Sequence, residues 1–192
     1  MRILGKQRRD LYLMRLIFQR LIFLLALVVV SLKAVGFENA EFFHKDLADY
    51  KVLLFLSRIC PCSSSHTNYL NGLADKYKSV KFFGVITDIF DESSKLEIQK
   101  YYSQENFKFP IIRDDKQSLI KEYHALKTPH TVILKKNNDK SFAVVYEGGV
   151  TDSRDFAEAK KYFLGENLEA LSNGRPVKYA VGKSLGCYIR RF

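Results

Sequence analysis

The chain contains no tryptophan and, among 192 residues, only three cysteines, two methionines and four prolines. Three cysteines are too few to staple a small domain. Being odd, they leave one thiol free after any single internal bridge. The sequence holds no H-E-x-x-H, G-x-S-x-G or P-loop pattern, which removes the commonest zinc-protease, serine-hydrolase and nucleotide-phosphate readings. No apolar run reaches the roughly 20 residues that span a bilayer comfortably. There is also no internal repeat and no low-complexity linker. What is present is a 47% share of hydrophobic residues, with 15 Phe and 11 Tyr as aromatic bulk, enough for one core of ordinary size.

Acidic residues are in deficit, 21 against 31 basic, for a formal charge of +10. Residues 1–36 supply most of the excess: seven Lys and Arg against Asp10 alone give +6, leaving 10 − 6 = +4 for the rest. The remaining charges are interspersed as on an ordinary solvated surface, so no nucleic-acid partner is expected. The apolar run LIFLLALVVVSL from Leu21 to Leu32 follows the basic stretch, and Ala34 and Gly36 come after it. This is the order of a secretory leader. Residues 1–36 are therefore expected to be a signal peptide, or an N-terminal anchor if uncleaved, the one case that involves a membrane. The protein is expected in the periplasm or another extracytoplasmic space. There disulfides persist, and thiols left reduced need a reason.

Beyond Gly36 the pattern alternates. Lys51–Ser57 is a continuous apolar run, as in a strand buried on both faces. Ser63–Lys78 reads as a helix, with Ser63, Ser64 and Ser65 as possible N-caps and Tyr69, Leu70, Leu73, Ala74 and Tyr77 at helical spacing. Val80–Ile86 is a second strand, Asp91–Ser103 a helix, Phe109–Arg113 a short extended piece and Gln117–His124 a short helix. Thr131–Lys135 and Phe142–Glu147 form a hairpin across the polar turn KKNNDK. Ser153–Leu164 reads as helical with Asp152 as its cap, and Glu166–Leu171 as a final helical turn. Asp114 and Asp115 read as caps, and Gly148-Gly149 as a turn or bulge. The order predicts an α/β fold with a central mixed β-sheet flanked by helices. One domain is expected over 37–165, followed by a helical turn and a cysteine-containing tail over 166–192.

The segment SRICPCSSSH, Ser57–His66, carries the chemistry. Cys60 and Cys62 stand where a strand ends and a helix begins. Unpaired amide groups and the helix dipole stabilise an anion there, and a thiol of pKa ~8.5 falls to about 3.5–7.5 in such places. The thiolate is the nucleophile toward disulfides and peroxides. Far along the chain, Lys127-Thr-Pro-His130 leads directly into a strand. Proline is tolerated at a strand entrance, and in such turns the preceding bond is sometimes cis. A cis Thr128–Pro129 bond is expected to present the Thr128 backbone to whatever approaches the thiolate.

VLLFLSRICPC, the helix after it and TPHTVIL resemble the thioredoxin-like fold. Together with YEGGVTDSR, LEALSNGRPV and GKSLGCYI, they resemble a redoxin subfamily of the alkyl hydroperoxide reductase/thiol-specific antioxidant superfamily that ends in a Gly-Cys-x-Ile tail. The resemblance covers about residues 40–190. It implies a thiol-dependent oxidoreductase working on a disulfide or a peroxide, with Cys60 as nucleophile and Thr128–Pro129 aligning the incoming chain. It needs no cofactor and draws electrons from another thiol protein. Cys187 is the expected resolving partner, with Cys62 as the other choice, and a permanent staple from Cys187 to Cys60 or Cys62 also fits. The pattern departs from its relatives at Ser63, where C-x-x-C would place the second cysteine, and at Leu53, where peroxidases of the group carry proline. Arg58 and Arg154 are the candidate activating cations.

Two other readings stand beside it. Cys60 and Cys62 with His66 and His130 form a conceivable Cu(I) set for metal delivery, thiolate and imidazole being suitable ligands. His66, as a lone helical histidine, otherwise reads as a surface residue, as do His44 and His124. Thioredoxin-like domains also serve as binding modules without catalysis.

Overall fold

The structure, a computed structural model, describes residues 37–88 and 95–191 together with Arg15 and Gln19. The expected leader lies outside the described residues, as does the start of the helix expected from Asp91. Among the described residues no helix is long and apolar enough to cross a membrane. The compact unit begins at Phe37.

Five strands form one mixed sheet in the order β3-β2-β1-β5-β6: β1 Tyr50–Leu56, β2 Val80–Ile86, β3 Ile111–Arg113, β5 His130–Lys136 and β6 Phe142–Gly148. β1 runs parallel to β2, which runs parallel to β3, while β5 is antiparallel to both β1 and β6. β1 is apolar from Val52 to Leu56 because both of its faces are covered. Val52, Leu54 and Leu56 join one cluster with Leu70, Leu73, Ile98 and Leu168. Leu53 and Phe55 join the opposite one with Phe83, Ile112, Leu119 and Val132. Each such side chain contributes about 1.5–3 kcal/mol on full burial. The helices on these faces are α1 Ala40–Lys45, α2 Pro61–Lys76, α3 Lys95–Gln104, α4 Ser118–Glu122 and α5 Phe163–Ser172. The mixed sheet with flanking helices is the one the order of elements predicted, and the fold is thioredoxin-like, as the resemblance implied.

Three expectations are corrected. The helix after the cysteines begins at Pro61 rather than at Ser63, so the three serines lie inside its first turns and cap nothing. Ser63 is buried and its hydroxyl accepts from the Ser57 amide at 3.3 Å. The expected helix 153–164 is a loop with a single 3-10 turn at Phe156–Glu158. Its polar side chains bind backbone locally: the Asp155 carboxylate accepts from the Ala157 amide, and Asp152 Oδ1 accepts from the amides of Lys160 and Lys161 at 2.8 and 2.9 Å. Asp152 thus closes a loop instead of capping a helix, the usual competition between short polar side chains and helical bonds. Asp114 does cap, accepting from the amides of Ser118, Leu119 and Ile120 at the start of α4.

The tail forms a strand that the sequence pattern did not suggest. β7, Cys187–Tyr188, pairs antiparallel with β4, Lys127–Thr128, in a separate two-stranded sheet. Further bonds fasten it: the Ile189 amide donates to the Leu126 carbonyl at 2.9 Å, and Gln117 Nε2 donates to the Arg190 carbonyl at 2.7 Å.

Candidate active site

Cys60 is the N-cap of α2, in extended conformation with φ −98° and ψ 111°. Pro61 at the first helical position has no amide to leave unsatisfied and a φ already suited to the helix. The Cys60 carbonyl accepts from the amides of Ser63 and Ser64 at 2.9 and 3.2 Å. The Cys60 sulfur donates to the Thr128 carbonyl at 3.3 Å. The Thr128–Pro129 bond is cis, with Thr128 buried. Residues 60 and 128, separated by most of the sheet in sequence, thus meet at the mouth of α2.

The β7–β4 register sets Cys187 opposite Thr128. The Sγ atoms of Cys60, Cys62 and Cys187 all lie within 4.8 Å of one another, and all three cysteines are free thiols. They are graded outward: Cys60 is 1% exposed, Cys62 is half-buried and Cys187 is exposed. Gly186 makes this approach possible. Its φ is +156°, and a Cβ there would stand 1.8 Å from the Thr128 carbonyl oxygen. The expected meeting of Cys187 with the helix mouth is therefore built into the fold, through a backbone contact that admits glycine.

The sulfurs differ in acidity. Burial pushes the Cys60 thiol up, but hydrogen bonds from the Cys187 thiol, the Thr128 side chain and the amides of Cys187 and Ser63 outweigh it, so the pKa falls to about 7. Burial raises Cys62, the Cys60 charge raises it further, and Arg154 partly offsets both. Burial and the Cys60 thiolate together push Cys187 up to about 12. Cys60 therefore ionises first, and its two neighbours stay protonated as donors to it.

The imidazoles do not join the sulfurs in the set expected for copper. His66 is fully buried, not solvated. Its Nδ1 donates to the Cys62 carbonyl at 2.7 Å, and its Nε2 pairs with Thr151 Oγ1 at 2.8 Å. It thereby ties the first turn of α2 to the loop after β6. His130 pairs with Ser184 Oγ through Nδ1 at 2.7 Å, and its buried Nε2 has no hydrogen-bond partner. Among the described residues, the three sulfurs alone form a cluster of potential ligands. Arg58 is engaged by two carboxylates. It pairs with the buried Asp88 at 3.5 Å and with Glu97 at 3.1 Å. Ser184 is invisible as a site residue in the sequence, because nothing at strand spacing marks its contact with His130, 54 residues away.

A helix-mouth cysteine facing a cis-proline turn within this sheet order narrows the family, and the AhpC/TSA family matches residues 29–150. The chain belongs to the AhpC/TSA family. This AhpC/TSA member is thus a thiol-dependent redox protein of thioredoxin-like fold; the matched span includes Cys60, Cys62, Thr128 and Pro129 and ends before Cys187. An uncharacterized conserved protein from Geobacillus kaustophilus is 27% identical, with a TM-score of 0.65 over 76% of this chain and 78% of its own. A hypothetical protein from Sinorhizobium meliloti 1021 is 21% identical, with a TM-score of 0.66 over 79% of this chain and 84% of its own. A thioredoxin-like protein solved in its oxidized form is 15% identical, with a TM-score of 0.51 over 66% and 80% of the two chains. No curated protein matches the AhpC/TSA chain described here.

Proposed function

We propose that this protein is a thiol–disulfide oxidoreductase in which Cys60 is the nucleophile and Cys187 the resolving thiol. The observation that carries the reading is the convergence of the Cys60 and Cys187 sulfurs on Thr128 at the N-terminus of α2. The Cys60 thiolate attacks one sulfur of a substrate disulfide and expels the other as a thiolate. Cys187 then attacks the Cys60 sulfur of the mixed disulfide, releasing the second substrate thiolate, and its own proton passes to a departing thiolate. The substrate is reduced by two electrons and Cys60–Cys187 is oxidised. An external dithiol protein restores the pair.

Exchange is favoured over rapid peroxide reduction because Arg58, the guanidinium nearest Cys60 in sequence, is held by Asp88 and Glu97. Slow peroxide reduction through a Cys60 sulfenic acid, resolved by Cys187 with loss of water, uses the same two residues. An extracytoplasmic location, from the pattern of residues 1–36, belongs to this proposal and is checked by cell fractionation. The reading is tested by turnover of a small disulfide and of hydrogen peroxide. Cys60→Ser is expected to lose at least about 100-fold in both, because no other thiol here has a lowered pKa. Full activity in Cys60→Ser contradicts it.

The three-sulfur cluster also favours a second reading, Cu(I) held by Cys60, Cys62 and Cys187. Competition for Cu(I) against a chromogenic chelator tests this. Weakening of binding by each single Cys→Ser change supports it, and indifference to Cys187→Ser removes it.

A further inference from the structure

A resolving pair needs two thiols, yet three sulfurs share this site. The third, Cys62, is unused by the mechanism above, which the following inference presupposes. Cys62 lies within 4.8 Å of both partners and is half-buried, between covered Cys60 and exposed Cys187. The virtual Cβ of Gly186, next to Cys187, stands 3.5 Å from the Cys62 Cβ, so the tail backbone runs directly past Cys62. A Cys60–Cys62 bridge, by contrast, has to close across a single intervening proline that is already fixed in the first turn of α2.

We propose that Cys62 is an exchange cysteine that moves the disulfide outward, from Cys60–Cys187 to Cys62–Cys187. The Cys62 thiolate attacks the Cys187 sulfur, the Cys187–Cys60 bond breaks, and Cys60 departs as a thiolate. The proton of Cys62 goes to solvent. No net oxidation occurs, since one disulfide is exchanged for another and one thiolate for another.

The direction follows from the surroundings of each sulfur. Cys60 is the better leaving group, because a thiol of lower pKa departs faster and the helix mouth holds its charge. Once Cys60 is bridged its charge is gone, which removes one of the causes that keep Cys62 protonated, while Arg154 still favours ionised Cys62. Two consequences follow. The disulfide offered to an electron donor lies at the exposed end of the cluster, where a protein-sized dithiol reaches Cys187 without displacing the cover over Cys60. Cys60 is also unbridged before that donor arrives, without the Cys187 S–H but still beside the Thr128 side chain and the Ser63 amide, so one chain stores one disulfide and remains able to react again.

The test uses the reduced full chain. One equivalent of hydrogen peroxide is added, the sample is quenched in acid, unfolded and alkylated, and bridged peptides are mapped by mass spectrometry. Cys62–Cys187 is expected to exceed every Cys60-containing bridge by about tenfold, with Cys60 alkylated. A second equivalent added in the presence of dimedone is expected to label Cys60 in chains that already carry Cys62–Cys187. Cys62→Ser is expected to accumulate Cys60–Cys187 and to lose the dimedone adduct at the second equivalent. A dominant Cys60–Cys187 or Cys60–Cys62 bridge in the unaltered protein overturns the relay. If Cys60→Ser is meanwhile inactive, the nucleophile assignment stands alone. Absence of any bridge, with Cys60→Ser fully active, removes both.

Discussion

Cys60 and Cys187 carry the same thiol in one cluster, yet burial and hydrogen bonding set the first at about 7 and the second at about 12. The cause is reciprocal: the Cys187 S–H and N–H stabilise the Cys60 thiolate, and that thiolate discourages loss of the second proton. Cys187→Ala removes the S–H donor and keeps the amide. The Cys60 ionisation is therefore expected to move upward in this variant, and thiolate absorbance followed against pH reads the shift. His130 has a separate signature. Burial lowers its pKa to about 4, from the ordinary 6.5, so the folded chain keeps it neutral where the unfolded chain takes a proton. Its contribution to stability is complete above about pH 6.5 and declines as pH falls toward 4, by about 3 kcal/mol. Urea midpoints at pH 7 and pH 4.5 are expected to differ less in His130→Phe than in the unaltered protein. At this scale the sequence revealed Cys60, Cys62 and Pro129, because a strand end, a helix start and a strand entrance are local patterns. It misplaced His66, whose burial depends on Thr151 and a loop formed 85 residues later.

The site is decided by the two shortest elements, the two-residue strands β7 and β4 paired with each other. Their sequences carry no alternation long enough to announce a strand, which is why the pairing of residues 127–128 with 187–188 was not legible. Gly186 was legible only as the neighbour of a cysteine; its left-handed φ and its contact with the Thr128 carbonyl are tertiary facts. Gly186→Ala is expected to lift the tail. Amide exchange at Ile189, whose N–H is bonded to Leu126, should accelerate by at least about tenfold. Alkylation of Cys60 should become faster as its cover leaves, while bridging to Cys187 declines. The missed loop 153–162 follows the same logic. Ser, Thr and Asp at 151–155 satisfy local backbone groups, and that competition outweighs a helical reading of the segment.

Across the whole molecule, the sheet and the site are separable. β1 delivers Cys60 to the end of a strand buried on both faces, and β5 begins immediately after Pro129. The continuous apolar run of β1 and the β-α-β order made that frame readable, because burial on both faces leaves a direct imprint on composition. The same frame predicts that core damage lowers stability without retuning the sulfur. Leu70 is fully buried on α2. Leu70→Ala is expected to cost about 2–5 kcal/mol in chemical unfolding, with the Cys60 ionisation unchanged while the protein remains folded. The central claim is that α2, Thr128 and the returning tail hold one particular sulfur ionised near neutrality. Thiolate absorbance at 240 nm, titrated on the reduced protein and on Cys60→Ser, tests it directly. An ionisation centred at about 7 that vanishes in Cys60→Ser is expected. An absorbance rise confined to alkaline pH, or a neutral transition that persists without Cys60, contradicts it.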